Sequence, residues 1–319
     1  MICAKLMSVN NENILSVRNL SHKYSTQYAV KDVSLELSNN EIVGLLGSNG
    51  AGKSTMMNII CGVLRQTEGE VYIKGKNIIT DNLEAKRNIG FLPQKPPLQP
   101  DLSVEEYLIH TAILRDVTHS EISSSVSRVL KYCQIEHFRR RLIKNLSGGY
   151  QQRVGIAQAI IHNPDFIVLD EPTNGLDPNQ ILEIRELIKD ISHNRLVLLS
   201  THILQEVQAM CDRIIMIEHG EFVFSGSRDD FSNAVVSNSI FVTFKNPPSA
   251  KELCLLPLVK DADFLEQGVY KCTILGDEFC AQQQIIENSV TKNWQLVEIY
   301  KEKIHPDEIF KHFSKTMKQ

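Results

Sequence analysis

The chain has 319 residues, 42% of them hydrophobic and 23% charged, with a formal net charge of −4. Its length suits one large domain or two ordinary ones. The mild acidity argues against a broad nucleic-acid-binding surface, which carries a basic excess, and no apolar run approaches the roughly 20 residues of a membrane span. The N-terminal stretch lacks the apolar core of a secretory signal. The seven cysteines (Cys3, Cys61, Cys133, Cys211, Cys254, Cys272 and Cys280) are odd in number and never spaced CxxC, so they fit neither a disulfide framework nor a zinc site and read as reduced thiols.

Along the chain, residues 14–46 read as strands: "ILSVRNLSHKY" and "VSLEL" alternate, and "EIVGLLG" is a continuous apolar run. Glycines end that run, and a helical spacing follows over "KSTMMNIICGV" (53–63). A strand pair is predicted at 68–78 and a short strand over "RNIGFLPQ" (87–94), ending at Pro93. From Ser103 the pattern turns helical, starting with the capping-box sequence "SVEE", so residues of about 100–150 form a helical insert. A helix over 150–163 stops at Pro164; then come a buried-strand pattern "FIVLDEP" (166–172), a helix (178–191), a strand (195–200), a helix (202–211) and a hairpin (213–226). Repeated strand–helix alternation predicts an α/β domain with a mostly parallel sheet over residues 13–230. After that the texture changes. Strands at 239–244, 268–277 and 294–303, helices at 250–256 and 278–291, and a final helix at 306–315 predict a small α+β domain over 231–319, with a ferredoxin-like arrangement as the model for it.

The chemistry begins at "GSNGAGKST" (Gly47, Ser48, Asn49, Gly50, Ala51, Gly52, Lys53, Ser54, Thr55), a complete G-x-x-x-x-G-K-[ST] loop with a strand before and a helix after. Small residues let consecutive N–H groups face a phosphate. Lys53 neutralises the β- and γ-phosphates, Ser54 offers a hydroxyl to Mg²⁺, and Thr55 reaches the α-phosphate region. Asp170 and Glu171 close an apolar strand, where adjacent carboxylates are costly unless a cation or partner is near. Asp170 reads as a Mg²⁺ ligand through water and Glu171 as the general base on an attacking water. Gln94 and His202 fall at strand C-termini, where ligands of parallel sheets bind. Asp177-Pro178 has a purely structural explanation, a helix N-cap with proline at N1. About a hundred residues after the phosphate loop comes a second glycine-rich helix start, "LSGGYQQR" (146–153), also suited to an anion.

The fixed order of phosphate loop, glutamine, "LSGGYQQR", "VLDEP", "GLDP" and "LLSTH" resembles the ATPase subunit of an ABC transporter, over about residues 13–227. The resemblance implies an ATP- and Mg²⁺-dependent ATPase whose two copies pair head to tail, each ATP lying between one copy's phosphate loop and the other's signature. Leu146, Ser147, Gly148, Gly149 and Tyr150 are then the signature that touches the partner's ATP. Tyr24 resembles the aromatic that stacks on adenine, with Tyr28 as competing candidate; Gln94 resembles the glutamine that senses Mg²⁺ and touches the membrane partner. Asp177 resembles the aspartate linking the two sites, and His202 the histidine that contacts the γ-phosphate. Tyr150 stands where many members have glutamine and Ser48 where many have proline; neither change removes a reacting group. "GYQQRVGIAQAIIHNP" with "GLDPNQ", and the tail "HPDEIFKHFS", look closest to the gliding-motility and ABC-2 branch. The expectation is a peripheral, cytoplasmic-face homodimer energising a separate permease, an exporter, with no nucleic-acid partner. The alternative is a family ATPase in translation or DNA repair. Translation-type members carry two motif sets and repair-type members a long coiled-coil insertion; here there is one set, and fewer than about a hundred residues separate loop and signature. The run "RRR" (139–141) reads as a solvated face.

Overall fold

The computed structural model describes residues 13–234 and 239–301. These divide into two compact units, with the division after Phe231. The expected helix at 306–315 lies outside the described residues.

The first unit contains β1 (Asn13–Tyr24), β2 (Gln27–Ser38), β3 (Ile42–Leu46), α1 (Lys53–Ile60), β4 (Glu68–Ile73), β5 (Lys76–Asn77), α2 (Asn82–Arg87), β6 (Ile89–Leu92), α3 (Val104–Leu114), α4 (Ile122–Tyr132), α5 (Gly148–Ile160), β7 (Phe166–Asp170), α6 (Pro178–Ile191), β8 (Leu196–Thr201), α7 (Leu204–Met210), β9 (Arg213–Glu218) and β10 (Glu221–Ser227); α8 (Arg228–Ala234) follows at the division. Six strands form one sheet in the order β10-β9-β3-β8-β7-β6. From β9 to β6 every pairing is parallel, and β10 closes the edge antiparallel. A second, antiparallel sheet runs β2-β1-β4-β5. The strands expected at 14–38 and 68–78 thus form a sheet of their own rather than joining the parallel one.

The core explains the layering. Val43 and Leu45, Phe166 and Val168, Leu196 and Leu198, and Ile215 and Ile217 present one face of the large sheet. Against it pack Met56, Met57, Ile59 and Ile60 of α1 and the apolar side of the antiparallel sheet, including Leu15, Val17, Leu37 and Ile73. The alternate residues of β3, β7 and β8 are buried as well, with α7 packed on β3 and β8 and α5 on β6. Burial on both faces is why these strands read as unbroken apolar runs. The helical insert is α3 and α4 with three short 3-10 turns. Ser103 and Glu106 form the full capping box at the start of α3, and Asp177 caps α6 with Pro178 in its first turn. The short helices α2 and α8 had no sequence expectation, since neither is long enough to show a periodicity.

The second unit holds β11 (Ser239–Phe244), α9 (Ala250–Cys254), β12 (Val259–Glu266), β13 (Val269–Ile274), α10 (Glu278–Thr291) and β14 (Leu296–Lys301). Its sheet is antiparallel throughout, in the order β12-β13-β11-β14, the β-α-β-β-α-β arrangement called ferredoxin-like. Strand β12 corrects the sequence reading, which placed a single strand between the two helices. It is an edge strand, "VKDADFLE", with only Val259 and Ala262 buried, and its charges suit an edge while hiding the apolar alternation. Gln267 and Gly268, both at positive φ, make the two-residue turn into β13. Ile240, Val242, Tyr270, Cys272, Ala281, Ile285 and Trp294 fill this unit's own core.

Candidate functional site

The phosphate loop connects β3 to α1. Gly52 is the N-cap of α1 at φ 111, and a Cβ there would lie 2.2 Å from Ala29 O; a Cβ on Gly47 would lie 2.5 Å from Ile217 O. The loop therefore fits under β2 and β9 only with glycine at both positions. Met56 N–H is the first in the helix to find its acceptor, Gly52 O at 2.9 Å. The N–H groups of Lys53, Ser54 and Thr55 therefore point out of the helix start, where an anion is favoured. Lys53 is 5% exposed, and its Nζ donates to Gly47 O at 2.8 Å and Ser48 O at 2.9 Å. Burial holds its ammonium below the ordinary lysine value, partly offset by the charges of Glu171, Asp170 and Glu218. Ser48 Oγ donates to Glu218 at 2.9 Å, a bond the serine makes where proline could not.

At the carboxyl ends of three neighbouring strands the predicted acids and their partners meet. Asp170, the last residue of β7, is buried, and its Oδ1 accepts from Ser200 Oγ at 2.5 Å. The same Ser200 Oγ accepts the Glu171 N–H at 3.0 Å. Glu171 turns the chain at φ 50, a left-handed conformation that costs a residue with a side chain about 1–3 kcal/mol. Its Oε2 accepts from Gln94 Nε2 at 2.8 Å and Asn174 Nδ2 at 2.9 Å. Its Oε1 faces His202 Nδ1 at 3.2 Å; a carboxylate only accepts, so in this contact Nδ1 is the donor. Gln94 follows β6 and His202 follows β8, which flank β7. Asn174 was missed by sequence reasoning, because an asparagine in a turn is ordinary; its spacing of three from Glu171 was the available signal.

The signature sits elsewhere. Ser147 is the N-cap of α5, is exposed, and makes no side-chain capping bond. Gln151 N–H is the first to bond within the helix, to Ser147 O at 2.9 Å, so the N–H groups of Gly148, Gly149 and Tyr150 point outward. Gly149 lies against α6: a Cβ there would come 2.6 Å from the Gln180 side chain. Leu146 is buried, and Tyr150 packs edge-on against Phe138 with centroids 4.5 Å apart. Arg153, 4% exposed, ties α5 to its surroundings through Cys133 O at 3.0 Å and Glu183 at 2.6 Å. Among the described residues no hydrogen bond or ion pair joins Leu146–Tyr150 to residues 47–55. Asp177 is exposed and accepts the N–H groups of Asn179 and Gln180, both at 3.0 Å. Tyr24, at the end of β1, is 54% exposed, with the His22 ring edge-on at 4.8 Å. The Tyr28 ring is covered by Lys23 Nζ at 4.2 Å, which leaves Tyr24 the more open face.

Comparison with known proteins decides the family. Residues 30–174 match the ABC transporter domain. The ABC transporter ATP-binding protein YxlF of Bacillus subtilis (strain 168) is 31% identical over 232 residues, covering 73% of this chain and 77% of YxlF. This chain is an ATP-binding protein of the ABC transporter family. The lipopolysaccharide export ATP-binding protein LptB of Haemophilus influenzae is 36% identical, covering 69% of this ABC protein and 93% of LptB. The bacitracin transport ATP-binding protein BcrA of Bacillus licheniformis is 28% identical over 283 residues, covering 87% and 90%. Among solved structures, a dimeric post-hydrolysis state of the ATP-binding cassette MJ0796 bound to ADP and Pi matches with a TM-score of 0.61 and 32% identity, covering 67% of this chain and 98% of that one. The ABC protein binds ATP, and its activity is ATP hydrolysis coupled to transport.

Proposed function

We propose that this ABC ATPase energises a separate membrane permease of the ABC-2 exporter type as a head-to-tail homodimer, with ATP held between the phosphate loop of one copy and the signature of the other. One observation carries the reading: the glycine-rich starts of α1 and α5 both leave N–H groups outward, yet among the described residues no hydrogen bond or ion pair joins Leu146–Tyr150 to residues 47–55 of the same chain. The start at α5 exposes its donors, with the Ser147 hydroxyl free of any capping bond, and suits an anion carried by another copy. The dimeric MJ0796 structure supports the pairing. The export and transport roles named for LptB and BcrA support the exporter. The BcrA match spans 283 residues, longer than the first unit, so it takes in part of the second. Among the described residues no helix is long and apolar enough to cross a membrane, and a permease on another chain would hold this subunit at the cytoplasmic face of the membrane.

In this reading Tyr24 stacks on the adenine. Lys53 exchanges its two loop carbonyls for β- and γ-phosphate oxygens, and the amides of residues 47–55 enclose the anion. Ser54, Asp170 and Gln94 offer oxygen donors only, the set that suits Mg²⁺, which when bound would neutralise phosphate charge. Glu171 takes the proton of the attacking water; Gln94, Asn174 and His202 hold its two oxygens in place. His202 contacts the γ-phosphate, and Asp177 faces the partner copy. Ser147 and the amides of Gly148–Tyr150 stabilise the γ-phosphate from across the interface.

Mixing two dead variants tests the pairing. Lys53→Ala and Ser147→Arg chains are each inactive as homodimers. In their heterodimer one site carries both lesions, and the other joins an intact loop to an intact signature. Restored ATP hydrolysis is the expected result. An inactive mixture, with heterodimers demonstrated and a one-site-competent control active, overturns action in trans.

A further inference from the structure

Glu206 lies in the first turn of α7, four residues beyond His202, and is 1% exposed. Its Oε1 accepts from Thr173 Oγ1 at 2.5 Å and its Oε2 from Thr201 Oγ1 at 2.7 Å. Both threonines are buried. Hydroxyls, not a cation, thus satisfy both oxygens. A buried carboxylate is a costly choice where an apolar side chain would fill the space, so packing alone does not account for it.

Each threonine leads to one member of the candidate catalytic pair. Thr173 stands two residues after Glu171, in the turn that Glu171 opens at positive φ. In that turn Asn174 N–H donates to Glu171 O at 3.1 Å, and Asn174 Nδ2 donates to the Glu171 carboxylate at 2.9 Å. Thr201 is the last residue of β8, and its Oγ1 also accepts the Ile203 N–H at 3.0 Å, pinning the chain on both sides of His202. The contact of His202 Nδ1 with Glu171 Oε1 at 3.2 Å closes the circuit. From these contacts we propose that Glu206 is a positioning residue: its carboxylate closes a ring Glu206–Thr173–Glu171–His202–Thr201 and so fixes the separation of Glu171 and His202. The inference rests on the reading of that pair given above.

The test is steady-state ATP hydrolysis by the full chain carrying Glu206→Ala, with ATP affinity and the thermal unfolding midpoint measured alongside. Misplacing a catalytic group by about 1 Å costs up to about 10²-fold, so kcat at saturating ATP falls roughly ten- to a hundredfold while KM and ATP affinity stay within about twofold. Thr201→Val and Thr173→Val each cut one arm and give a smaller fall in kcat; they serve as the readout where Glu206→Ala folds poorly. In a His202→Ala background, Glu206→Ala lowers kcat by less than about threefold, because a residue that acts through His202 is coupled to it. A lowered unfolding midpoint with wild-type kcat in the folded protein, or full additivity with His202→Ala, overturns the proposal. If Glu171→Gln and His202→Ala themselves hydrolyse ATP at the wild-type rate, the underlying reading falls with it. If they lose turnover and Glu206→Ala does not, the positioning role alone falls.

Discussion

The helix starts at α1 and α5 are built alike and finished differently. Each begins after a buried strand or short turn, places glycine in or just before its first turn, and leaves three N–H groups aimed outward. Around α1 the chain adds Lys53, Asp170 and Glu171, and Lys53 already has two acceptors, Gly47 O and Ser48 O. Around α5 the cations are already paired: the buried Arg153 bonds Cys133 O and Glu183, the exposed Lys144 bonds Asp101 at 2.8 Å, and the Ser147 hydroxyl has no capping bond. The α1 start has a buried lysine and carboxylates of its own chain beside its free N–H groups, which suits a phosphate held within that chain. The α5 start, with its N–H groups free and its neighbouring cations already paired, suits a surface that meets its ligand on another molecule.

The largest effect expected on this contrast is at the α1 site. Glu171→Gln keeps the shape and removes the base, so kcat falls about 10²–10⁴-fold while ATP binding persists. Single-turnover hydrolysis and nucleotide titration check both halves, and hydrolysis at the wild-type rate refutes the assignment. Ser147→Arg breaks the other side of the contrast. ATP binding to the isolated chain stays within about threefold, while steady-state hydrolysis drops at least about tenfold, because one crowded donor in an electrostatically organised site costs that much or more. An equal loss of binding would place the signature in cis.

Helix α5 also gives a pH dependence at its far end. His162, one residue past the C-cap, has Nε2 3.0 Å from Ile89 O and an Nδ1 that is buried without a partner. Burial, with Arg115 and Arg128 adding to it, lowers its pKa to about 4. Between the unfolded value near 6.5 and about 4, the unfolded chain binds the extra proton, so stability rises with pH across that window and is lost as pH falls through it. At roughly pH 5 the loss is about 2 kcal/mol relative to neutral pH, and His162→Gln should flatten that slope in denaturant melts. The smallest effect is at the base end of the α1 site. Tyr24→Ala should weaken ATP binding about tenfold, within the range of about 1–3 kcal/mol for aromatic stacking on a base, while Tyr28→Ala, whose ring is already covered by Lys23, should change it less than about twofold.

The elements and residues that the sequence by itself determined are those set by local rules. Periodicity placed β3, α1, β7, α6 and β8, because a strand buried on both faces is apolar throughout and a helix with a charged face is periodic. Spacing marked Lys53, Asp170, Glu171 and the 146–150 stretch, because phosphate-binding backbone needs small residues in a fixed order. The caps at Ser103 and Asp177 were legible for the same reason: a capping bond spans two or three residues. What only the tertiary structure decided depends on residues far apart in the chain. The separation of the antiparallel sheet from the parallel one, and strand β12 at an edge, follow from pairing partners that no local pattern names. Asn174, Ser200, Thr173, Thr201 and Glu206 were silent in the sequence because hydroxyls, amides and a lone glutamate are common everywhere. They acquire a role only where β6, β7 and β8 bring their carboxyl ends side by side and burial removes the water that would otherwise satisfy them.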